Sequence, residues 1–137
     1  MAANSRMASA VQILCVIAYI GEGGTNAAII ARSLRTNPVV VRRLLKSMQR
    51  AGLVEIRPGK DGGVQFRRQP DEITLDEVYN AVEDDIDVFA LREGGNPSCR
   101  VNARMKDLLG PIFAATNQAV AATLKPITVG SLARSIN

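Results

Sequence analysis

Two cysteines and no histidine set the chemistry open to this chain. Triads built on imidazole, histidine-based metalloprotease motifs and histidine general bases are excluded. Cys15 and Cys99 are too few for a disulfide scaffold or a cysteine zinc site within one chain. Gly59-Lys60 lacks the upstream glycine of a phosphate loop and is followed by Asp61 rather than Ser or Thr. Gly21–Gly24 follows a helical pattern instead of a strand, so it is not a dinucleotide fingerprint. No catalytic residue, metal site or cofactor is expected, and an enzyme is not.

Charge remains. Residues 32–68 carry ten basic side chains (Arg32, Arg35, Arg42, Arg43, Lys46, Arg50, Arg57, Lys60, Arg67, Arg68) against Glu55 and Asp61, an excess of eight positive charges. Residues 71–93 carry nine acidic side chains against Arg92, an excess of eight negative ones. The net +4 of the whole chain conceals this division. A dense basic block inside a folded pattern is the footprint of a polyanion partner. Most charge runs are merely solvated faces, so the elements that carry these charges decide between the readings.

At 137 residues, 47% hydrophobic and 22% charged, the chain reads as a globular protein of one domain or a small domain with an appendage. No window reaches the ~18 consecutive apolar residues of a membrane span, so no membrane partner and a cytoplasmic location are expected. Residues 6–20 place Met7, Val11, Leu14, Ile17 and Ala18 at helical spacing, widened by Val16 and Ile20, and the glycine cluster ends that helix. A second helix is expected over Ala27–Leu34. After the turn Arg35-Thr36, Asn37 caps a third helix, and Pro38 suits its first position because the missing N–H has no partner there.

The third helix, Pro38–Ala51, is the informative element. At 100° per residue Val41, Leu44, Leu45 and Met48 form one apolar face. Val39, Arg43, Lys46 and Arg50 lie opposite, with Arg42 on the flank. Short helix, tight turn and basic-faced helix make a helix-turn-helix. Asn37, Val39, Val40, Arg42 and Arg43 would stand near base edges, with Pro38 beside them in the DNA-binding set and Lys46 and Arg50 nearer phosphate. Val54/Ile56 and Val64/Phe66 alternate with polar residues as half-buried strands do, around the tip Pro58–Gly63. This hairpin reads as a wing that offers Arg57, Lys60, Gly62 and Gly63 to a groove or backbone.

Thr74-Leu75-Asp76-Glu77 has the form of a capping box and opens a helix to about Val82. Residues 83–100 read as an acidic, Gly/Pro-bearing linker. From Val101 to Lys125 a long helical pattern returns, and Gly110-Pro111 inside it predicts a kink or a frayed first turn. A short last helix begins at Thr128. The expected fold class is therefore mainly α with a small β-hairpin. Residues 1–82 form a winged helix-turn-helix domain, and 101–137 a dimerisation helix with a short terminal helix. Met105, Leu109, Ile112, Phe113, Thr116 and Val120 are the expected dimer interface, because a domain of about 80 residues cannot bury so long an apolar stripe alone.

Asn37-Pro38-Val39-Val40-Val41-Arg42-Arg43, Ala51-Gly52-Leu53-Val54, Gly59–Gly63 and Ile73–Val82 together follow a known pattern. By these motifs the chain resembles the Rrf-two family of bacterial winged-helix regulators, and Asn96-Pro97-Ser98-Cys99 looks most like its YwnA-type branch. The resemblance implies a homodimeric transcription factor, usually a repressor, acting on double-stranded DNA at a pseudo-palindromic operator, with the long helix as dimer interface. Cluster-binding members bring three cysteines from the loop before that helix; here there is only Cys99, so no iron–sulfur cofactor is expected.

Cys99 stands just ahead of a helix start, beside Arg100 and near Arg104, where the dipole and the cations would favour a reactive thiolate. It is the candidate redox sensor, and an oxidant or a small molecule the candidate inducer. Cys15, inside the first helix, is expected to be an inert packing residue. The competing function is a winged-helix protein-interaction module that does not read DNA.

Overall fold

Helix α1 (Arg6–Ile20) buries Ala10, Ile13, Leu14 and Ile17 and packs against most of the other elements of its unit. The structure, a computed structural model, describes residues 5–21 and 24–136. The chain forms two compact units, one running up to Glu83 and resuming at Leu124, the other spanning Asp84–Thr123.

Local signals start the helices of the first unit. The Asn26 side chain accepts the Ile29 N–H (3.0 Å) and opens α2 (Ala27–Leu34). The Asn37 side chain accepts the Val39 N–H (2.9 Å) and opens α3 (Pro38–Arg50), with Pro38 in its first turn. Satisfying these otherwise free amides is worth about 1 kcal/mol at each cap. Gly52 ends α3 with a positive φ of 79°, and the following Leu53 N–H returns to the Met48 carbonyl. Strands β1 (Val54–Arg57) and β2 (Gly63–Phe66) pair antiparallel, Val54 opposite Phe66 and Arg57 opposite Gly63. The Val64 N–H also reaches the Thr25 carbonyl, which ties the hairpin to the start of α2. A 3-10 turn (Pro70–Glu72) leads to α4 (Leu75–Val82), whose capping box between Thr74 and Glu77 is formed in both directions.

The core gathers Val41, Leu44, Leu45 and Met48 of α3 with Leu53, Val54, Val64, Ile73, Val78 and the α1 residues. On α1 the buried stripe differs from the one expected. Ala10 and Ile13 lie inside, Met7, Val11 and Ala18 are half-covered, and Ile20 is exposed. A helix apolar on nearly every side has no periodicity to choose its buried face, so its neighbours choose it.

The sequence grouped residues 101–137 into one segment, and the structure divides them. Helix α5 (Arg100–Leu124) carries no buried residue. Helix α6 (Val129–Arg134) belongs to the winged unit and packs on α1 and the 3-10 turn. Its lead-in is held by backbone bonds, Leu75 N–H to the Ile127 carbonyl and Val129 N–H to the Ile73 carbonyl, both 2.9 Å. At Gly130 a side chain would collide with Asp71, so only glycine lets this strand-like contact close. Arg134 then pairs with the Asp71 carboxylate. Residues 100–124 form one continuous helix through Gly110-Pro111, so of the kink or frayed first turn expected there the fraying is absent. No described helix is long and apolar enough to cross a membrane.

In the 84–123 unit, the linker lies against its helix by specific contacts. Asn117 accepts the Val88 N–H (2.9 Å) and donates to the Asp87 carboxylate (3.0 Å). The Phe89 and Phe113 rings stand 5.3 Å apart in a tilted pair.

Candidate nucleic-acid interface

The burial of Val41, Leu44, Leu45 and Met48 fixes the rotation of α3, so its other side must face solvent. Val39 and Val40 are 53% and 40% exposed near its start, large apolar side chains left uncovered beside Asn37. Arg42, Arg43, Lys46 and Arg50 are exposed along its length. Among the described residues none of these four cations has an ion-pair partner. Asn37 is exposed, but its side-chain oxygen is committed to the cap; Pro38 is half-buried.

The hairpin brings its charges to the same side. Arg42 and Lys46 of α3 and Arg57 and Lys60 of the hairpin line one cleft of about 310 Å3, together with Asn26 and Ala27. Gly62 and Gly63 complete its wall, and at both a side chain would collide with backbone. Arg57 makes only a loose contact with Glu55 (3.9 Å), and Lys60 has no counter-ion among the described residues. Arg43 and Arg50 do not line this cleft. Asn37 and Pro38 line a separate one, with Arg32 and Arg35. Those two arginines stood in the basic block, yet helical periodicity on α3 could not assign them, because they belong to α2 and its end.

Several carboxylates of the winged unit are engaged away from this face. Glu77 holds Arg68 at 2.9 Å, Asp71 holds Arg134, and Glu83 lies 3.9 Å from Arg6, which also donates to the Val82 carbonyl. Asp71, Glu77 and Glu83 of the acidic block thus brace the fold around α4, and the α3 cations keep no ion-pair partner among the described residues. Such convergent, unpaired charge in a narrow cleft concentrates positive potential where a polyanion would lie.

Of the proposed interface positions on α5, Met105, Leu109, Phe113, Thr116 and Val120 are half-covered and Ile112 is 58% exposed. Cys99 is exposed, in a turn where its N–H bonds the Asn96 carbonyl (3.0 Å). Its own carbonyl accepts the Ala103 N–H, which places it at the start of α5 as expected. Cys15 differs from expectation. It is only half-buried and lines an open apolar groove of about 410 Å3 with Tyr19, Ile20, Ile29 and Ile136, and burial pushes its thiol above the ordinary value.

A capped helix pair with an exposed second helix, followed by a two-stranded hairpin, defines a winged helix-turn-helix protein. The chain belongs to the Rrf2 family: the model of that family, described as an iron-dependent transcriptional regulator, matches residues 3–135. The chain is 37% identical over 117 residues to YwnA of Bacillus subtilis (strain 168), provisionally named an HTH-type transcriptional regulator, covering 85% of this chain and 86% of that one. It is similar to a solved structure provisionally described as a DNA-binding protein, with 31% identity, a TM-score of 0.74, and 93% and 98% of the two chains covered. CymR, the global cysteine regulator of B. subtilis, shares the fold at 22% identity and a TM-score of 0.71, with 100% and 99% covered. Their names describe transcriptional regulators and a DNA-binding protein, and none describes an enzyme. The residues here do not fit the iron in the family's description. The chain has no histidine, Cys15 and Cys99 lie in different units, and no three described His, Cys, Asp or Glu residues converge to hold a metal.

Proposed function

We propose that the chain is a dimeric, sequence-specific DNA-binding regulator of the cytoplasm, a repressor that binds a pseudo-palindromic operator through α3 and the hairpin. The observation that carries this reading is the outward face of α3, where Arg42, Arg43, Lys46 and Arg50 stand exposed and unpaired among the described residues. In the major groove arginine donates two hydrogen bonds to a guanine edge, and Val39 and Val40 supply apolar contacts suited to thymine methyls. Lys60 at the hairpin tip reaches backbone or minor groove. The 84–123 unit supplies the dyad by pairing with its copy, which sets two recognition helices about 34 Å apart.

The test is genomic footprinting of the purified protein combined with a salt titration on the recovered site. Protected paired half-sites are expected, with a log–log salt slope near −0.9 for each phosphate neutralised. Arg43→Ala should lower affinity for the recovered site by roughly 10-fold or more and relax the preference at one base position of each half-site. A protein without affinity for any duplex at low salt is instead an interaction module that kept the winged fold.

Cys99 is the proposed point of regulation. Its thiolate attacks a peroxide oxygen to give a sulfenic acid and release water or an alcohol, the peroxide taking the two electrons. A change at the base of α5 then alters the spacing of the two recognition helices. Wild type should lose operator binding under peroxide and regain it with thiol reductant, while Cys99→Ser keeps binding throughout. Equal loss in both proteins refutes the switch.

A further inference from the structure

The turn between α2 and α3 is where a side chain is held against its backbone preference. Arg35 ends α2 at φ 52° and ψ 50°, and among the described residues no other non-glycine residue has a positive φ. Glycine adopts this conformation freely, and asparagine more readily than arginine does. The turn needs the conformation: Arg35 N–H returns to the Arg32 carbonyl (3.3 Å) and Thr36 N–H to the Ala31 carbonyl (3.1 Å), which closes the end of the helix. It does not need the arginine side chain, which is exposed and makes no hydrogen bond or ion pair among the described residues.

That side chain lines a cleft of about 510 Å3. Arg32 faces the same space from the preceding turn, likewise exposed and without a counter-ion among the described residues. Ala28 and Ala31 add small side chains to its lining, and Asn37 and Pro38 join it from the reading end of α3. Two like charges three residues apart repel each other, and one of them also sits on strained backbone; an internal structural role explains neither. An external anion explains both. The guanidinium groups offer planar sets of N–H donors that match the free oxygens of a phosphodiester.

We propose that this cleft seats a phosphate of the DNA backbone beside the bases that α3 faces, held by Arg35 and Arg32. The assignment rests on the DNA-binding reading above and adds two contact residues outside the α3 and hairpin face. A phosphate partner accounts for a cation standing where glycine would relax the chain.

The experiment compares the full-length wild type with Arg35→Gly, Arg35→Lys and Arg32→Ala. It measures binding to a mixed-sequence duplex several helical turns long across a salt series, with thermal unfolding in parallel. Arg35→Gly should make the log–log salt slope shallower by about 0.9 for each guanidinium removed. The same change should raise the unfolding midpoint by roughly 2–5 °C, because glycine accepts the left-handed backbone. Arg32→Ala should flatten the slope similarly, and Arg35→Lys should restore it. A slope unchanged in Arg35→Gly, or a midpoint that falls, overturns the proposal. A wild type that fails to bind the duplex at low salt removes the DNA-binding reading itself. Steep wild-type binding with an unchanged Arg35→Gly slope removes only this seat.

Discussion

The winged unit and the 84–123 unit treat the same kinds of residue in opposite ways. Every buried hydrophobic residue among those described lies in the winged unit, where α1, α3, the hairpin, α4 and α6 share one core. In the other unit Ile86, Val88, Phe89, Leu91, Val101, Leu108 and Ile112 are all at least 37% exposed, and α5 buries nothing. Charge follows the same division. The winged unit pairs several of its acids internally and leaves its α3 and hairpin cations open, whereas Asp85, Asp87 and Glu93 stand on the exposed linker. The first unit therefore carries its own stability. The second leaves its large apolar side chains exposed, which is what the pairing proposed above would cover.

Breaking the first unit should have the largest effect. Leu45 is 1% exposed at the centre of the core. Leu45→Ala should lower unfolding free energy by about 2–5 kcal/mol through lost burial and the cavity left behind, measured by denaturant unfolding. Ile112→Ala, at 58% exposure, should change the stability of an isolated subunit by less than about 0.5 kcal/mol. A similar loss at both sites would erase the contrast between the units.

The contrast sharpens at the level of assembly. Ile112→Glu places a carboxylate in the middle of the face proposed to meet a second copy. Sedimentation equilibrium should show the dimer dissociation constant rising by about 100-fold or more, since burying an unpaired charge at an interface costs several kcal/mol. Far-UV circular dichroism of the winged helices should be retained. A mass unaffected by the substitution would mean that this face is covered in some other way.

What could be read from the sequence was local. The Asn37-Pro38 cap, the Thr74–Glu77 box and the alternating hairpin each depend on residues within a few positions, and each formed where expected. The apolar face of α3 could be read because four residues separate cleanly from the cations opposite. Two kinds of feature escaped. The docking of α6 depends on Gly130 meeting Asp71 and on Thr74 bridging Thr128, contacts between residues more than fifty positions apart that no periodicity records. On α1 the opposite problem arose, since apolar residues on nearly all sides leave several faces equally fit to be buried. The candidate site was legible on α3 and the hairpin. Arg32 and Arg35 were legible only as charge, because their common cleft arises from the angle at which α2 meets α3.

The smallest expected effect lies at Cys15, which shows how far the winged unit's interior extends. Burial is the sole cause that raises its thiol above the ordinary value of 9.0, so folding favours the protonated form. The folded state then binds the proton more tightly than the unfolded chain. The resulting stability is complete below pH 9, and it is lost as pH rises from there through the higher folded value. The unfolding midpoint of the wild type should therefore fall more steeply above pH 9 than that of Cys15→Ala, which lacks the ionising group. At neutral pH an alkylating reagent should also modify the exposed Cys99 before Cys15, because only the thiolate reacts and Cys15 is the more shielded. Equal alkylation rates, together with parallel pH profiles, would mean that the groove beside Tyr19 and Ile136 does not shield the half-buried Cys15 and would move the boundary of the core inward from it.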